Sequence, residues 1–380
     1  MDTRIVDIGQ LVTPVFTPST PSDISSLEVR ERTELWIRDG RIVSIGPIPR
    51  RTRIDQEIDA RGKVVLPGLI DPHTHYDAYV PLQEASVSER PEGCFNSTPG
   101  ERASDRLRRA LRHGVTTVEV KCGSLVELEE LSALMRAEDG ALPEVVATLF
   151  GGGPQDGVPH AVPMADLIAH AIPAARRRRL AQFCDVACGG SAYSPDEART
   201  ILRAARAAGF QLKLHVQGGE LGAVRAMAIG LDVSAVGHAN HLGRQDAEAW
   251  RRVGVVPVLL PGERLLEPES WPDARGLLDA GLMVALGTNA GSGSVAVGSM
   301  WLVLALAVTV LGMSLEQGIA AVTLHNASAL ELSSEIGSAE AGKRADLVIL
   351  DVPDYRDLLA GLGEDPVRCV VQRGEVVFPD

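Results

Sequence analysis

Short apolar runs rich in β-branched residues recur through the middle of the chain and alternate with segments that have helical spacing. Stretches rich in Ala, Leu, Arg and Glu, such as 196–208 and 221–229, lie between most of the runs. The predicted strands are 69–75, 116–120, 144–150, 183–188, 210–216, 233–239, 256–261 and 283–289. Eight strands that alternate with helices predict an α/β fold, a (β/α)8 TIM barrel.

The two ends of the chain have a different pattern, which is typical of antiparallel strands joined by tight turns. Asp39-Gly40 is a strong hairpin-turn signal, and Arg373-Gly374 occupies the corresponding place near the C-terminus. The predicted strands are 5–12, 34–38, 41–45, 345–350, 369–372 and 374–378. Because neither end looks self-sufficient, we predict one small composite β domain from residues 1–66 and 338–380, beside a barrel formed by residues 67–337.

Composition and charge restrict the possible functions. The 380 residues are 45% hydrophobic and 23% charged, with a net charge of −13, which implies no affinity for nucleic acid or membranes. The apolar stretch 300–313 is too short to span a bilayer. Five scattered cysteines, with no Cys-x-x-Cys pair and no leader-like start, predict reduced thiols and a cytoplasmic location.

Histidines gather at the predicted C-terminal ends of the barrel strands, where barrel enzymes carry their functional groups. His73 and His75 are two positions apart on a strand and therefore project to the same side, where two neutral imidazoles can hold a divalent metal. Any one of these histidines alone is more often structural, but five of the chain's nine histidines share this placement. The pattern favours a metal site. The candidate side chains are His73, His75, His215, His238, His241 and, after the eighth strand, Asn289.

Four stretches give the chain a specific resemblance to a known family. They are 67–75, Pro-Gly-Leu-Ile-Asp-Pro-His-Thr-His; 113–121, His-Gly-Val-Thr-Thr-Val-Glu-Val-Lys; 259–262, Leu-Leu-Pro-Gly; and 337–347, followed by 351–356. With these motifs the chain resembles the amidohydrolase superfamily and, within it, the imidazolonepropionases. The resemblance covers nearly the whole sequence.

The resemblance implies a composite β domain, a metal-bearing barrel and a small-molecule substrate. It implies one divalent metal, Zn²⁺ or Fe²⁺, held by His73, His75 and His215, with His241 near the substrate. A homodimer is expected from the same family likeness.

The chain departs from the family where protons are handled. The family has a metal-binding aspartate after strand eight, whereas this chain has Asn289, which cannot act as a base. The family's acids after the strand-five histidine are replaced by Val216-Gln217-Gly218, although Glu220 lies two positions further on. We therefore assign the catalytic roles to His241, Glu220 and Asn289.

The expected substrate contacts differ as well. Gly151-Gly152-Gly153 replaces a family histidine after strand three, and Ser97 retains part of the family's loop. We assign substrate binding to His238, Gly153 and Ser97. With so many contacts changed, we expect a substrate other than imidazolone propionate.

Three functions are compatible with this set of residues. The first is a metal-dependent hydrolase acting on a cyclic amide or related C–N bond. The second is a lyase, cyclase or isomerase in which the metal acts as a Lewis acid without activating water, as the loss of the acid would suggest. The third is a pseudoenzyme, which the survival of the histidines disfavours. An Asn289→Asp substitution is expected to keep or raise a hydrolytic rate and to lower a non-hydrolytic one.

Overall fold

The computed structural model describes most of the chain, with strands and helices in the predicted alternation. The described residues are 1–15, 26–49, 52–76, 99–137, 141–152, 163–190, 192–216, 221–265, 271–291, 297–361 and 363–379. Within them the strands are β1 Asp2–Pro14, β2 Leu27–Arg38, β3 Arg41–Ile45, β4 Gln56–Asp59, β5 Val64–Pro67, β6 Leu69–His75, β7 Val115–Cys122, β8 Glu144–Gly151, β9 Phe183–Cys188, β10 Gln211–Val216, β11 Ala235–Gly237, β12 Val256–Leu259, β13 Ala285–Leu286, β14 Leu347–Leu350, β15 Val367–Gln372 and β16 Glu375–Phe378.

Helices follow most of the barrel strands. They are α1 Pro99–Arg112, α2 Leu125–Ala137, α3 Met164–Asp166, α4 Ile172–Arg177, α5 Pro195–Ala207, α6 Leu221–Gly230, α7 Arg244–Val253, α8 Ala274–Asp279, α9 Met300–Thr309, α10 Leu315–Ala320 and α11 Asn326–Ala329. Short π-helical segments join α3 to α4 and α10 to α11. None of the described helices is both long and apolar enough to cross a membrane.

Strands β6 to β13 form one parallel sheet in sequential order, which confirms the predicted barrel. Backbone hydrogen bonds bring its two edge strands together: the N–H of Asn289 donates to the carbonyl of His73 at 3.1 Å, and that of His75 donates to Ala290 at 2.8 Å. The C-terminal ends of the first and eighth barrel strands therefore lie side by side.

Helix α5 illustrates how the sequence positions the outer layer. Ser194 accepts a hydrogen bond from the backbone of Glu197, whose side chain returns the contact, and this capping box starts the helix where the sequence predicted it. Its buried residues have the three- and four-residue spacing of one helix face, which packs onto the barrel. They are Ala198, Ile201, Leu202 and Ala205.

Two barrel strands are much shorter than predicted, and β12 ends two residues early, at Leu259. The expected strand 233–239 is reduced to β11, and 283–289 is reduced to β13. His238 and Asn289, which follow these strands, have left-handed backbones with φ of 53° and 56°. A left-handed residue turns the chain out of the extended conformation, so the strand ends before it.

The chain ends form the second sheet, in the order β16-β15-β14-β5-β1-β2-β3, with β4 beside β1. This confirms the predicted composite β domain, in which β5 pairs with β1 from the N-terminal part and β14 from the C-terminal part. Both hairpin turns have the two positive φ values of a type I′ turn: 49° and 76° at Asp39-Gly40, and 50° and 80° at Arg373-Gly374. The proposed domain boundary at residue 66 falls within β5.

Candidate active site

Four histidines meet at the C-terminal mouth of the barrel. His73 and His75 end β6, His215 lies on β10, and His238 follows β11. The ring centroid of His73 lies 5.4 Å from that of His75, 5.2 Å from that of His215 and 5.1 Å from that of His238. The rings of His215 and His238 are 4.0 Å apart. The structure therefore brings together residues from three barrel strands that are far apart in the chain.

Three of these rings form a group that suits a divalent metal. One ring nitrogen from each of His73, His215 and His238 lies within 4.8 Å of the other two. Among the described residues, Nε2 of His73, Nδ1 of His215 and Nε2 of His238 are buried and have no hydrogen-bonding partner. Burial lowers the pKa of His73 and of His215 well below the ordinary value. Neutral imidazoles with free lone pairs are the form that binds metals.

His75, expected from the resemblance to be a ligand, lies beside this group. Its ring centroid is 6.1 Å from that of His215, and its ring meets the ring of Phe150 edge-on at 5.4 Å. Burial, followed by the positive charge of Lys121, lowers the pKa of His75 to about 3. The structure thus places a neutral imidazole next to the three-histidine group at this position.

Two glycines make room for the His73 ring. A Cβ at Gly237 would lie 2.6 Å from Cε1 of His73, and a Cβ at Gly287 would lie 3.0 Å from its Cβ. The ring therefore packs directly against the backbone of β11 and of the segment that follows β13. Any larger residue at position 237 would displace it.

Glu263 is a site residue that the sequence analysis missed. It lies in the 3₁₀ turn Pro261–Leu265 after β12, and its Oε2 is 3.1 Å from Nδ1 of His238. Its Oε1 accepts a hydrogen bond of 2.5 Å from Nδ2 of Asn289. Its position directly after the family-like stretch 259–262 could have indicated that it belongs to the site.

Asn289 is buried at the mouth, after β13. Its Nδ2 is bonded to Glu263, whereas its Oδ1 is buried and has no partner among the described residues. Only this neutral oxygen of the side chain remains available to a ligand.

A buried carboxyl group supports the loop that carries Asn289. Asp71 accepts hydrogen bonds from the backbone of Thr288 at 3.2 Å, from its hydroxyl at 2.5 Å and from the backbone of His73 at 3.3 Å. Burial raises the pKa of Asp71 to about 7, although these hydrogen bonds oppose the rise. Asp71 therefore connects the strand of the histidines to the eighth strand.

A buried ion cluster also lies inside the barrel, and one of its members, Lys121, pairs in register with His75. Nζ of Lys121 contacts Glu119 at 3.0 Å and Asp185 at 2.6 Å, and Nζ of Lys213 contacts Glu119 at 2.9 Å. Burial lowers the pKa of Lys213 to about 8, whereas for Lys121 the two carboxylates outweigh burial and raise the pKa. Glu119 and Lys121 belong to the family-like stretch 113–121 but were not predicted as site residues. The charge of Lys121 helps to keep His73 and His75 neutral.

Of the remaining predicted site residues, His241 lies outside the histidine group. His241 is exposed in the turn Ala239–His241, with its Nε2 3.5 Å from Nη2 of Arg264. Glu220, Gly153 and Ser97 lie outside the described residues. Their assigned roles in catalysis and substrate binding stay predictions.

Comparison with known proteins agrees with this architecture. Residues 64–377 match the amidohydrolase family. An imidazolonepropionase from Geobacillus kaustophilus is 34% identical over 420 aligned residues, covering 98% of this chain and 96% of the relative. One from Caldanaerobacter subterraneus is 30% identical, covering 98% and 96%.

Solved structures show the same fold at lower sequence identity. Escherichia coli guanine deaminase superposes with a TM-score of 0.74 at 18% identity, covering 100% of this chain and 99% of the other. Aspergillus niger ochratoxinase superposes with a TM-score of 0.72 at 20% identity, covering 99% and 95%.

The family match and the near-full-length relatives favour the hydrolase hypothesis over the non-hydrolytic enzyme and the pseudoenzyme. They agree with a barrel whose mouth holds clustered neutral histidines. The chain belongs to the amidohydrolase family, as an imidazolonepropionase-like member and a hydrolase acting on C–N bonds.

Proposed function

We propose that the histidine group binds one divalent metal, Zn²⁺ or Fe²⁺, and that the enzyme hydrolyses a C–N bond in a small cyclic amide other than imidazolone propionate. One observation supports the metal site: His73, His215 and His238 each have a buried ring nitrogen with no hydrogen-bonding partner among the described residues, and their ligand atoms lie within 4.8 Å of one another. Such a donor set matches a catalytic site with three protein ligands and an open position.

His73 and His215 are the ligands common to the sequence-based set and to the geometric group. His75 and His238 flank them and differ in their surroundings, since His75 packs against Phe150 and His238 contacts Glu263. When bound, a divalent metal would polarise a substrate carbonyl and make water a better nucleophile at neutral pH.

The protein residues supply the remaining functions of the site. His241, whose imidazole is exposed, is the candidate acceptor for the proton of the attacking water. Asn289 offers a neutral oxygen and no basic atom. The buried rings and Phe150 exclude water from one side of the site.

The identity of the substrate is inferred from the relatives and from the departures. Relatives named imidazolonepropionase, at 30–34% identity, support a ring C–N bond as the point of attack. Asn289 and the changed segment 216–218 support a different substrate, because a site built for specific polar contacts rejects a ligand when those contacts are missing. A cytoplasmic homodimer remains the expected state of the protein.

We predict that the purified wild-type protein holds about one transition metal per chain and that the His73→Ala and His215→Ala proteins hold little. Metal content is measured by elemental analysis after gel filtration. Comparing His75→Ala with His238→Ala identifies the third ligand, because only loss of a ligand lowers metal content strongly. His325→Ala is the matched control: His325 is also fully buried, but its Nδ1 is 3.0 Å from the carbonyl of Val284.

A wild-type protein without metal, or unchanged metal in the His73 and His215 variants, would refute the proposed site. The chemistry is tested by screening cyclic amides, with imidazolone propionate included, and by following ¹⁸O from labelled water into the product. Turnover of imidazolone propionate at an ordinary enzyme rate, with a kcat on the order of 1–10³ s⁻¹, would contradict the substrate proposal.

A further inference from the structure

The Glu263 carboxylate lies between two residues of the candidate site and contacts both. Its Oε2 is 3.1 Å from Nδ1 of His238, and its Oε1 is 2.5 Å from Nδ2 of Asn289. The side chains of Glu263 and His238 are 18% and 19% exposed, so both contacts are largely shielded from water. Each carboxylate oxygen thus faces one nitrogen.

An ionised carboxylate can only accept hydrogen bonds, and this fixes the orientation of both neighbours. As a neutral imidazole, the form that binds a metal, His238 must carry its proton on Nδ1, which leaves a lone pair on Nε2. Asn289 must turn its NH₂ group towards Glu263, which leaves Oδ1 on the other side. These two atoms, Nε2 of His238 and Oδ1 of Asn289, are both buried, and neither has a partner among the described residues.

The backbones of the two neighbours are unusual in the same way. His238 has φ of 53° and Asn289 has φ of 56°, so both adopt the left-handed conformation that residues other than glycine adopt rarely. Such strain persists only where the surroundings impose it, and it clusters at functional sites. Glu263 contacts the side chains of both strained residues.

We propose that Glu263 is a positioning residue that presents Nε2 of His238 and Oδ1 of Asn289 as metal-facing donors next to His73 and His215. The proposal rests on the proposed metal site. In this arrangement a neutral asparagine oxygen joins the metal donors, and the negative charge is carried by Glu263, which contacts the donor residues and not the metal. Partners of metal ligands that fix the tautomer and the ring orientation commonly govern metal affinity in this way.

The test exchanges the carboxylate and the amide. In Glu263→Gln, two N–H donors face one acceptor oxygen, so either His238 or Asn289 must turn its donor towards the site. In Asn289→Asp, two carboxylates face each other. In the double variant Glu263→Gln/Asn289→Asp, the new amide at position 263 can accept from His238 and donate to the new carboxylate at position 289, which restores both hydrogen bonds with the same net charge.

We expect Glu263→Gln to bind Zn²⁺ about 10–100-fold more weakly than wild type in a chelator competition. The double variant should recover affinity to within about threefold of wild type, since complementary changes at a contact pair are strongly non-additive. Glu34→Gln is the control, because Glu34 has the same side-chain exposure of 18% but lies on β2 in the composite domain. Wild-type affinity in Glu263→Gln, or equal weakness in the single and double variants, would overturn the proposal.

A second readout uses the metal-free protein. Nitrogen-15 spectra should show His238 protonated on Nδ1 in wild type and in the double variant, and a changed ring signal in Glu263→Gln. An unchanged ring signal in Glu263→Gln would also overturn the positioning role. Absence of zinc binding by wild type would instead refute the proposed metal site, so the two failures are distinguishable.

Discussion

Burial sets the protonation state of the side chains at the barrel mouth. It lowers the pKa of His73 and His215, and the positive charge of Lys121 acts in the same direction. The same burial raises the pKa of the nearby Asp71 carboxyl to about 7. Low solvation therefore keeps the imidazoles neutral, as metal binding requires, and makes Asp71 a group that titrates near neutral pH.

The raised pKa of Asp71 predicts a specific pH dependence of stability. Between about pH 4 and pH 7 the folded protein keeps the Asp71 proton, whereas the unfolded chain loses it. The contribution of Asp71 to the unfolding free energy is therefore present at low pH and is lost as the pH rises through 7. In metal-free protein, the unfolding free energy of wild type should fall by about 2–3 kcal/mol more than that of Asp71→Asn between pH 5 and pH 7.5. Urea unfolding at both pH values measures this difference.

Parallel pH profiles for wild type and Asp71→Asn would contradict this prediction. The Glu34→Gln variant, in which the substitution lies on β2, is a control for the loss of a carboxylate outside the barrel mouth. Its pH profile between pH 5 and pH 7.5 should follow wild type, because the pKa of Glu34 is lowered and the group stays ionised over this range.

Sequence reasoning found the histidines at the mouth but not the residue that orients them. His73 and His215 were predictable because each lies at the end of an apolar strand. Glu263 was not, because no local pattern shows that its carboxylate reaches His238, 25 positions earlier, and Asn289, 26 positions later. The position of Glu263 also changes the expectation for Asn289→Asp. Because the new carboxylate would face Glu263, this single substitution is now expected to lower the affinity of the site for metal.

At the scale of elements, strand prediction worked where strands are long and apolar and was less accurate where a strand ends at the site. Residues 69–75 and 183–188 were predicted with the bounds that β6 and β9 have. Strands β11 and β13 were overextended, because the left-handed backbones that end them depend on tertiary contacts and not on local apolar pattern. The short strand β4 was not predicted, since residues 56–59 carry three polar residues and one isoleucine.

The packing of the His73 ring against Gly237 on β11 predicts that a side chain at this position would clash with the ring. In Gly237→Ala the new Cβ would lie 2.6 Å from the His73 ring, and the ring is fully buried and cannot move away freely. We expect a loss of about 1–3 kcal/mol in the unfolding free energy and at least about tenfold weaker metal binding. Urea unfolding and chelator competition measure the two effects.

Gly222→Ala is the matched control for this experiment. Gly222 lies in α6, and a Cβ there would meet nothing within 4 Å, so the substitution should be neutral or stabilising by about 0.5–1 kcal/mol. If Gly237→Ala behaved like Gly222→Ala, the close packing of His73 against β11 would not constrain the site.

At the scale of the whole molecule, the central strands of the composite sheet, such as β5 and β14, are buried on both faces and so couple the chain ends to the barrel. Adjacent residues of one strand belong to different apolar clusters, because side chains alternate across a sheet. One face packs with the barrel and its helices, through residues that include Val12, Val64, Leu66, Val348 and Val370. The other face forms a separate core, through residues that include Ile5, Leu11, Val65, Leu347 and Val371.

The composite sheet also brings its two hairpin turns into contact, and Gly374 lies at that contact. A Cβ at Gly374 would lie 2.7 Å from Cγ2 of Ile37 and 3.7 Å from Cα of Gly40. Gly374→Ala therefore combines two costs: about 1–2 kcal/mol for a left-handed alanine at φ of 80°, and a further 1–3 kcal/mol, roughly, for overpacking against Ile37.

Gly62→Ala separates these two costs. Gly62 has φ of 69°, and a Cβ there would meet nothing within 4 Å, so its substitution incurs the backbone cost alone. We expect urea unfolding to show Gly374→Ala destabilised more than Gly62→Ala by about 1–3 kcal/mol, in a single transition, since the sheet shares one of its cores with the barrel. Equal losses would show that the turns do not restrain each other. A separate early transition in Gly374→Ala would show that the composite domain unfolds without the barrel and that the shared core does not couple them.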